Sequence, residues 1–352
     1  MPLDFFEAGG IKMKAIEKLV YTIWVNLDGN CPREGIEPST SNKELALRML
    51  YLIKKLLDDK RAGPLFEEEH SSLLESRALA EFSKIRSISI EECGKSVNPF
   101  SALGETEREI FVPYMELDEL KSLLKIDDKD VMINLLKGSI LELKEPIDIK
   151  VGKKGEVEMP KNVMVRFNPY MNRPTALAKE QTISAPYMVL TYGILAGMKE
   201  KVDRVFEGGF GSGYHLAYKG NLYPTAKFFG SDVHEDFCEM ARKNIKTLDD
   251  MNQTQLSQRI TLGAGNCLRP SENAVFMDNR PYDLIYFTFM MPNNFDFKPY
   301  FDSLCDGGIL ISPVNSPVYQ EAESGNFTLF VKNKGKTDSL EITACSFVPA
   351  VR

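Results

Sequence analysis

Two acidic residues and a run of glycines carry the spacing that could do chemistry in this chain. Val205-Phe206 reads as a short buried strand that runs into Glu207 and then Gly208-Gly209-Phe210-Gly211-Ser212-Gly213. Glycine has no Cβ, so such a turn takes positive φ and lets a ligand approach the backbone closely. The helix after it would aim free N–H groups at whatever sits in the turn. The spacing is G-x-G-x-G rather than the dinucleotide pattern G-x-G-x-x-G. An acid just ahead of the glycines would repel a pyrophosphate but suits a ligand carrying an amino acid's ammonium group. About twenty residues after the glycines, a second apolar run ends in Asp232, where a carboxylate meets a nucleoside ribose in nucleotide-binding sheets.

Those residues need a sheet to hold them. Residues 226–232 predict the second strand, 234–248 a helix, and 259–262 a third strand leading to Gly265-Asn266-Cys267. Residues 282–287 predict a fourth strand, 295–305 a helix stopped by Gly307-Gly308, and 309–311 a fifth strand. Residues 327–331 and 340–343 bracket a polar turn and predict a terminal hairpin. Strands alternating with helices describe an α/β fold, a Rossmann-like sheet with helices on both faces and right-handed crossovers. Ahead of the first strand, Ser184 reads as the cap of a helix with Pro186 in its first turn. That helix would carry Met188, Val189, Tyr192 and Leu195 to the core.

The first part of the chain reads as a mostly helical module over 1–145. Ile16, Leu19, Val20, Ile23, Trp24 and Leu27 form one amphipathic stripe. Ser41-Asn42-Lys43-Glu44 matches a capping box. Further helices are expected over 66–83 and 117–136. Alternating Ile147, Ile149 and Val151, then Gly152 to Gly155 and Val157, predict a hairpin in a linker over 146–166, leaving 167–352 as the domain that holds the glycine turn. The net charge of −7 argues against a nucleic-acid partner. Six scattered cysteines without C-x-x-C spacing, beside three histidines, predict reduced thiols and no metal. No signal core or membrane span is read, so the compartment expected is the cytosol or the nucleus.

The acid-then-glycine turn resembles the first motif of S-adenosyl-L-methionine (SAM) methyltransferases. Asn168-Pro169-Tyr170-Met171, Thr182-Ile183-Ser184-Ala185-Pro186, the turn itself, Pro281-Tyr282-Asp283-Leu284-Ile285, and Asp306 to Val314 follow in order. Together they resemble the protein-L-isoaspartate (D-aspartate) O-methyltransferase family over 168–349. The resemblance implies methyl transfer from SAM to the α-carboxylate of an isoaspartyl residue in a protein or peptide acceptor. It implies Ser184 as the active-site serine, with Gln181, Thr182 and Ile183 beside it along the cofactor. The backbone at Gly209, Gly211 and Gly213 would cradle the methionine part, Asp232 would take the ribose hydroxyls, and Asn266 and Cys267 would sit beside adenine. Glu207 joins them as the acid of the turn. A carboxylate is already a nucleophile at neutral pH, so alignment does most of the work and Ser184 would hydrogen-bond the acceptor.

Departures from the family are equally specific. Asn266-Cys267 stand where the family has D-G, and Val189 where it often has histidine. Phe289-Met290-Met291 replace small alanines, which would narrow the acceptor pocket. After its V-P the family carries a polar tail that closes over substrate and cofactor, and beyond 348–352 that tail is expected to be missing here. The expected function is therefore a SAM-dependent protein carboxyl methyltransferase. The alternative is a divergent member acting as a SAM-binding or non-catalytic subunit. The helical module is a candidate surface for a protein partner.

Overall fold

The structure, a computed structural model, describes residues 102, 106–124, 140–145, 150–151, 157–158, 162–169, 174–197, 199, 201–318 and 321–351. The amphipathic stripe at 16–27, the capping box at 41–44 and the helix expected over 66–83 lie outside the described residues.

Five strands form the parallel part of the sheet: β1 (Arg204–Gly208), β2 (Lys227–Asp232), β3 (Ile260–Ala264), β4 (Tyr282–Phe287) and β5 (Leu304–Asn315). Two more, β6 (Ser324–Asn333) and β7 (Lys336–Ser346), add on antiparallel, giving the order β3-β2-β1-β4-β5-β6-β7. Successive residues on a strand point to opposite faces. Val205, Phe228, Leu284 and Ile309 accordingly join one buried cluster, while their neighbours Phe206, Phe229, Ile285 and Leu310 join another. The first cluster is covered by α1 (Pro186–Ala196), α2 (Tyr214–Leu222) and α3 (Glu235–Asn252). The second is covered by α4 (Ala274–Met277) and α5 (Lys298–Ser303), through Phe276 and Tyr300. Burial on both faces explains why these strands are apolar without alternation. The Rossmann-like sheet with helices on both faces is present.

Several boundaries differ from expectation. The helix expected over 295–305 is only Lys298–Ser303, with Pro299 in its first turn; Leu304 already begins β5. Phe297 and Phe301 stack on each other at 5.8 Å and against Phe330 of β6, so the aromatic run covers a strand instead of extending a helix. The hairpin strands run longer than expected because Lys334 and Gly335, both at positive φ, close a tight turn whose twist suits the strands. Ser184 does not cap α1. The cap position belongs to Ala185, without a side-chain cap bond, and Pro186 at the first turn already removes one N–H that a cap would serve. Met188, Val189, Tyr192 and Leu195 are buried, as their spacing requires.

Ahead of the main sheet, Met164–Phe167 pairs antiparallel with both Met115–Glu116 and Leu141–Leu143. The helix Leu117–Leu124 lies beside this sheet, and Met115, Leu117, Leu120, Leu141, Val165 and Phe167 make a small core of their own. The helix expected over 117–136 is present over its first part, and residues 125–136 lie outside the described residues. Strands are therefore mixed into a stretch that reads as helical. The hairpin expected in the linker is present as Lys150–Val151 against Val157–Glu158. Among the described residues no helix is long and apolar enough to cross a membrane.

Candidate active site

The strand order reverses direction between β1 and β4, and ligands of open parallel sheets bind at the carboxyl ends beside such a point. A cleft opens there. Gly209 and Gly211 line it, with Asp232, Asn266, Cys267 and Phe289 around them. Gly209 has φ +80°, and a Cβ on it would fall 2.5 Å from the Phe289 ring, so only glycine keeps this wall open.

Asp232 ends β2 at the rim. Its Oδ2 accepts the Gly211 N–H at 3.0 Å and its Oδ1 the His234 N–H at 3.1 Å. Burial pushes its carboxyl up from the usual carboxylate range, and those backbone donors oppose the shift. The Asn266 Oδ1 accepts the Leu268 N–H at 2.8 Å, which fixes the turn after β3. Cys267 is a neutral wall, its thiol pushed up to about 12 by burial. Its carbonyl accepts the Tyr300 hydroxyl at 2.7 Å.

A second, smaller cavity adjoins the first and shares Thr182, Gly209, Gly211 and Thr288 with it. Ser184, Ile183, Glu207 and His215 complete much of its wall. Glu207 is wholly buried; Tyr286 donates its hydroxyl to Oε2, and Oε1 has no hydrogen-bond partner. Burial raises the Glu207 carboxyl to about 8, against the pull of the Tyr286 hydroxyl and the Lys219 charge. His215 is held neutral by burial, then by the nearby Lys219 and Arg108 charges, and neither ring nitrogen has a hydrogen-bond partner. Behind them Lys219 is fully buried. Its Nζ lies 5.6, 5.1 and 5.2 Å from the ring centroids of Tyr192, Tyr218 and Tyr286. Burial lowers its ammonium to about 7, opposed by Glu207.

Of the residues expected at the site, Gln181, Thr182, Gly209, Gly211, Asp232, Asn266 and Cys267 line the first cleft; Ile183, Ser184 and Glu207 line the second. Gly213 lies on neither wall. It is the left-handed residue that starts α2, and a Cβ there would meet Ala241 and Ile245 of α3 at 3.0 and 3.2 Å. Its glycine serves helix packing. Met290 and Met291 are buried away from the cavities, because bridges to Pro349 and Val314 turn this segment into an extra strand-like rung. Only Phe289 of the three bulky residues reaches the cleft. Residues 348–351 form part of the wall of the first cleft, where the Val348 carbonyl accepts the Met290 N–H and the Ala350 N–H donates to the Met290 carbonyl.

Sequence reasoning missed His215, Lys219, Tyr286 and Arg108. The first two sit one helical turn apart just after the glycines, on a helix otherwise buried, and a lysine in such a place is the signal available. Arg108 comes from a short 3₁₀ turn ahead of the small sheet, is 2% exposed, and donates from Nη2 to the Ser184 carbonyl at 2.8 Å.

The model of the protein-L-isoaspartate(D-aspartate) O-methyltransferase family matches residues 155–352. A protein-L-isoaspartate O-methyltransferase of Hyperthermus butylicus is 26% identical over 212 residues, covering 56% of this chain and 80% of that protein. One of Methanoculleus marisnigri is 28% identical over 198 residues, covering 55% of this chain and 80% of that protein. A solved structure of a protein-L-isoaspartate O-methyltransferase aligns with TM-score 0.45 at 18% identity, covering 74% of this chain and 63% of that one.

Proposed function

The chain belongs to the protein-L-isoaspartate (D-aspartate) O-methyltransferase family, and on that premise we propose that SAM spans its two adjoining cavities, with its nucleoside in the first and its amino-acid end in the second, and that an isoaspartyl acceptor meets the methyl group beside Ser184. The reading is a SAM-dependent methyl transfer to a protein carboxylate. One observation carries it: Thr182, Gly209, Gly211 and Thr288 belong to both cavities, with Asp232 on one side and Ser184 and Glu207 on the other.

The residues present fit the cofactor. Asp232 offers a carboxylate at the rim for a ribose diol, the glycines leave backbone exposed, and the unpartnered Glu207 Oε1 suits an ammonium. When bound, SAM supplies an electrophilic methyl group that a carboxylate accepts without a proton being moved. What the chain contributes is alignment and exclusion of water. Ser184 would hold the acceptor carboxylate by its hydroxyl, with its backbone fixed by Arg108. Asn266 and Cys267 would flank adenine, with Phe289 as an apolar wall. Gln181, Thr182 and Ile183 would close the side opposite the glycines.

We also read the residues ahead of the sheet as part of the surface that meets the acceptor protein. Support comes from Arg108, which lies outside the matched residues 155–352 and yet reaches the Ser184 carbonyl. The cytosol is the compartment this reading assigns, supported by the free thiols of Cys238, Cys267, Cys305 and Cys345. Incubation of an isoaspartyl peptide with labelled SAM should give a base-labile methyl ester. An aspartyl peptide of the same sequence should give none; equal labelling of both would overturn the acceptor assignment.

A further inference from the structure

Beneath the glycine turn lies a group of polar side chains that methyl transfer itself does not use. Glu207 and His215 face the second cavity with unpartnered atoms, and Lys219 stands behind them without a hydrogen bond. A buried ammonium without any anion or acceptor is costly. Here the faces of Tyr192, Tyr218 and Tyr286 surround it at cation–π distance. Tyr286 links the two halves, since its ring faces Lys219 and its hydroxyl donates to Glu207.

We propose that Lys219 is a positioning residue for the cofactor: from its tyrosine cage it sets the charge with which Glu207 faces the cofactor's ammonium group. The inference rests on assigning the second cavity to the amino-acid end of SAM. Glu207 projects from β1, Lys219, His215, Tyr214 and Tyr218 from α2, Tyr192 from α1 and Tyr286 from β4. Asp232 of β2, Arg108 and Cys345 of β7 are the further groups whose charge is felt there. His215 stays neutral, so the cluster's charge is decided by Glu207 and Lys219. Below about 7 Lys219 is charged and Glu207 is not, and the cluster repels an ammonium. Above about 8 Glu207 is charged and Lys219 is neutral, and the cluster attracts it. Cofactor binding is therefore expected to release protons and to strengthen as pH rises.

The test is calorimetry with S-adenosylhomocysteine and with 5′-methylthioadenosine, which lacks the amino-acid end, on wild type and Lys219→Met. Each proton released on binding changes affinity by up to about tenfold per pH unit. Wild type should gain at least about tenfold for S-adenosylhomocysteine between about pH 6.5 and about pH 8.5, with a flat profile for 5′-methylthioadenosine. Lys219→Met should lose the acid-side part of that gain. A Lys219→Met profile that matches wild type would overturn the inference while leaving the cavity assignment intact. The same affinity and pH dependence for both ligands in wild type would sink the cavity assignment itself. Should Lys219→Met fail to fold, wild type alone decides. Titrations near pH 7 in buffers of different ionisation enthalpy should show net proton release for S-adenosylhomocysteine, and none would overturn the inference.

Discussion

Glu207 and Asp232 look interchangeable in the sequence, since each is an acid at the end of an apolar strand beside the glycines, yet they occupy opposite extremes of the site. In the parallel register Glu207 pairs with Gly230 and Gly208 with Ser231, so Asp232 sits further toward the carboxyl rim than Glu207 does. At the rim, Asp232 is held by two backbone N–H donors and still faces the cleft. Deeper in, Glu207 has a tyrosine donor on one oxygen and nothing on the other. Depth along the strand, not residue type, makes one acid a ready ligand and the other a proton-dependent one. Gly230, the partner of Glu207 in the register, leaves room for the core instead: a Cβ there would meet Leu262 and Phe210, both at 2.8 Å.

The strongest way to break this contrast is Asp232→Ala. On the proposed reading the change removes two charge-assisted bonds to a ribose diol, each worth about 1.5–3 kcal/mol, and it leaves the Gly211 and His234 N–H groups without their acceptor. Affinity for S-adenosylhomocysteine should fall about hundredfold or more at every pH. Equal affinities by calorimetry would remove Asp232 from the binding site.

Glu207→Gln sharpens the contrast through pH. With its carboxyl raised to about 8, Glu207 carries charge only on the alkaline side. The variant should bind S-adenosylhomocysteine about tenfold more weakly than wild type near pH 9, and equally near pH 6, from the worth of one charged hydrogen bond. A constant deficit across that range would mean the carboxylate is ionised throughout.

The parts of this site that repeat at short range were legible. Alternating faces gave the strands their apolar runs, and the position of Asp232 after the glycines marked the rim. What escaped depends on register and on long-range pairing. No local pattern says that Glu207 lies opposite Gly230, or that Met290 and Met291 pair with Pro349 and Val314 and so leave the pocket. Ser184 read as a cap because serine before Ala-Pro fits one, but its carbonyl is bound by Arg108, 76 residues earlier. The lysine of α2 was readable as an oddity, though its three tyrosines come from α1, α2 and β4 and meet only in the fold.

Phe289→Ala tests which cavity its ring serves. The ring lines the first cleft and packs by Gly209, and it is not part of the wall that carries Ser184. Removing part of an apolar wall should weaken S-adenosylhomocysteine by about threefold to tenfold. Turnover of an isoaspartyl peptide at saturating SAM should stay unchanged. A clear gain in turnover there would revive the expectation that Phe289 narrows the acceptor pocket.

The last test concerns stability, because Glu207 and Lys219 act against each other. In the unfolded chain a glutamate titrates near about 4.3 and a lysine near about 10.4. Folded Glu207 keeps its proton to about 8, so from the unfolded glutamate value up to there the native state binds more protons at this site and stability falls as pH rises. Folded Lys219 loses its proton near 7, so from there up to the unfolded lysine value the native state binds fewer and stability rises with pH. Between about 7 and 8 the two slopes cancel, and the pair's contribution is lowest in that window. Asp232, its carboxyl also raised, adds a falling slope above the unfolded aspartate value. Urea unfolding of wild type should therefore show a dip near neutrality relative to the Glu207→Gln/Lys219→Met double variant, in which both titrations are gone. Parallel stability profiles for the two proteins would mean that Glu207 and Lys219 titrate alike in the folded and unfolded chain, and the contrast between the rim acid and the buried one would lose its physical basis.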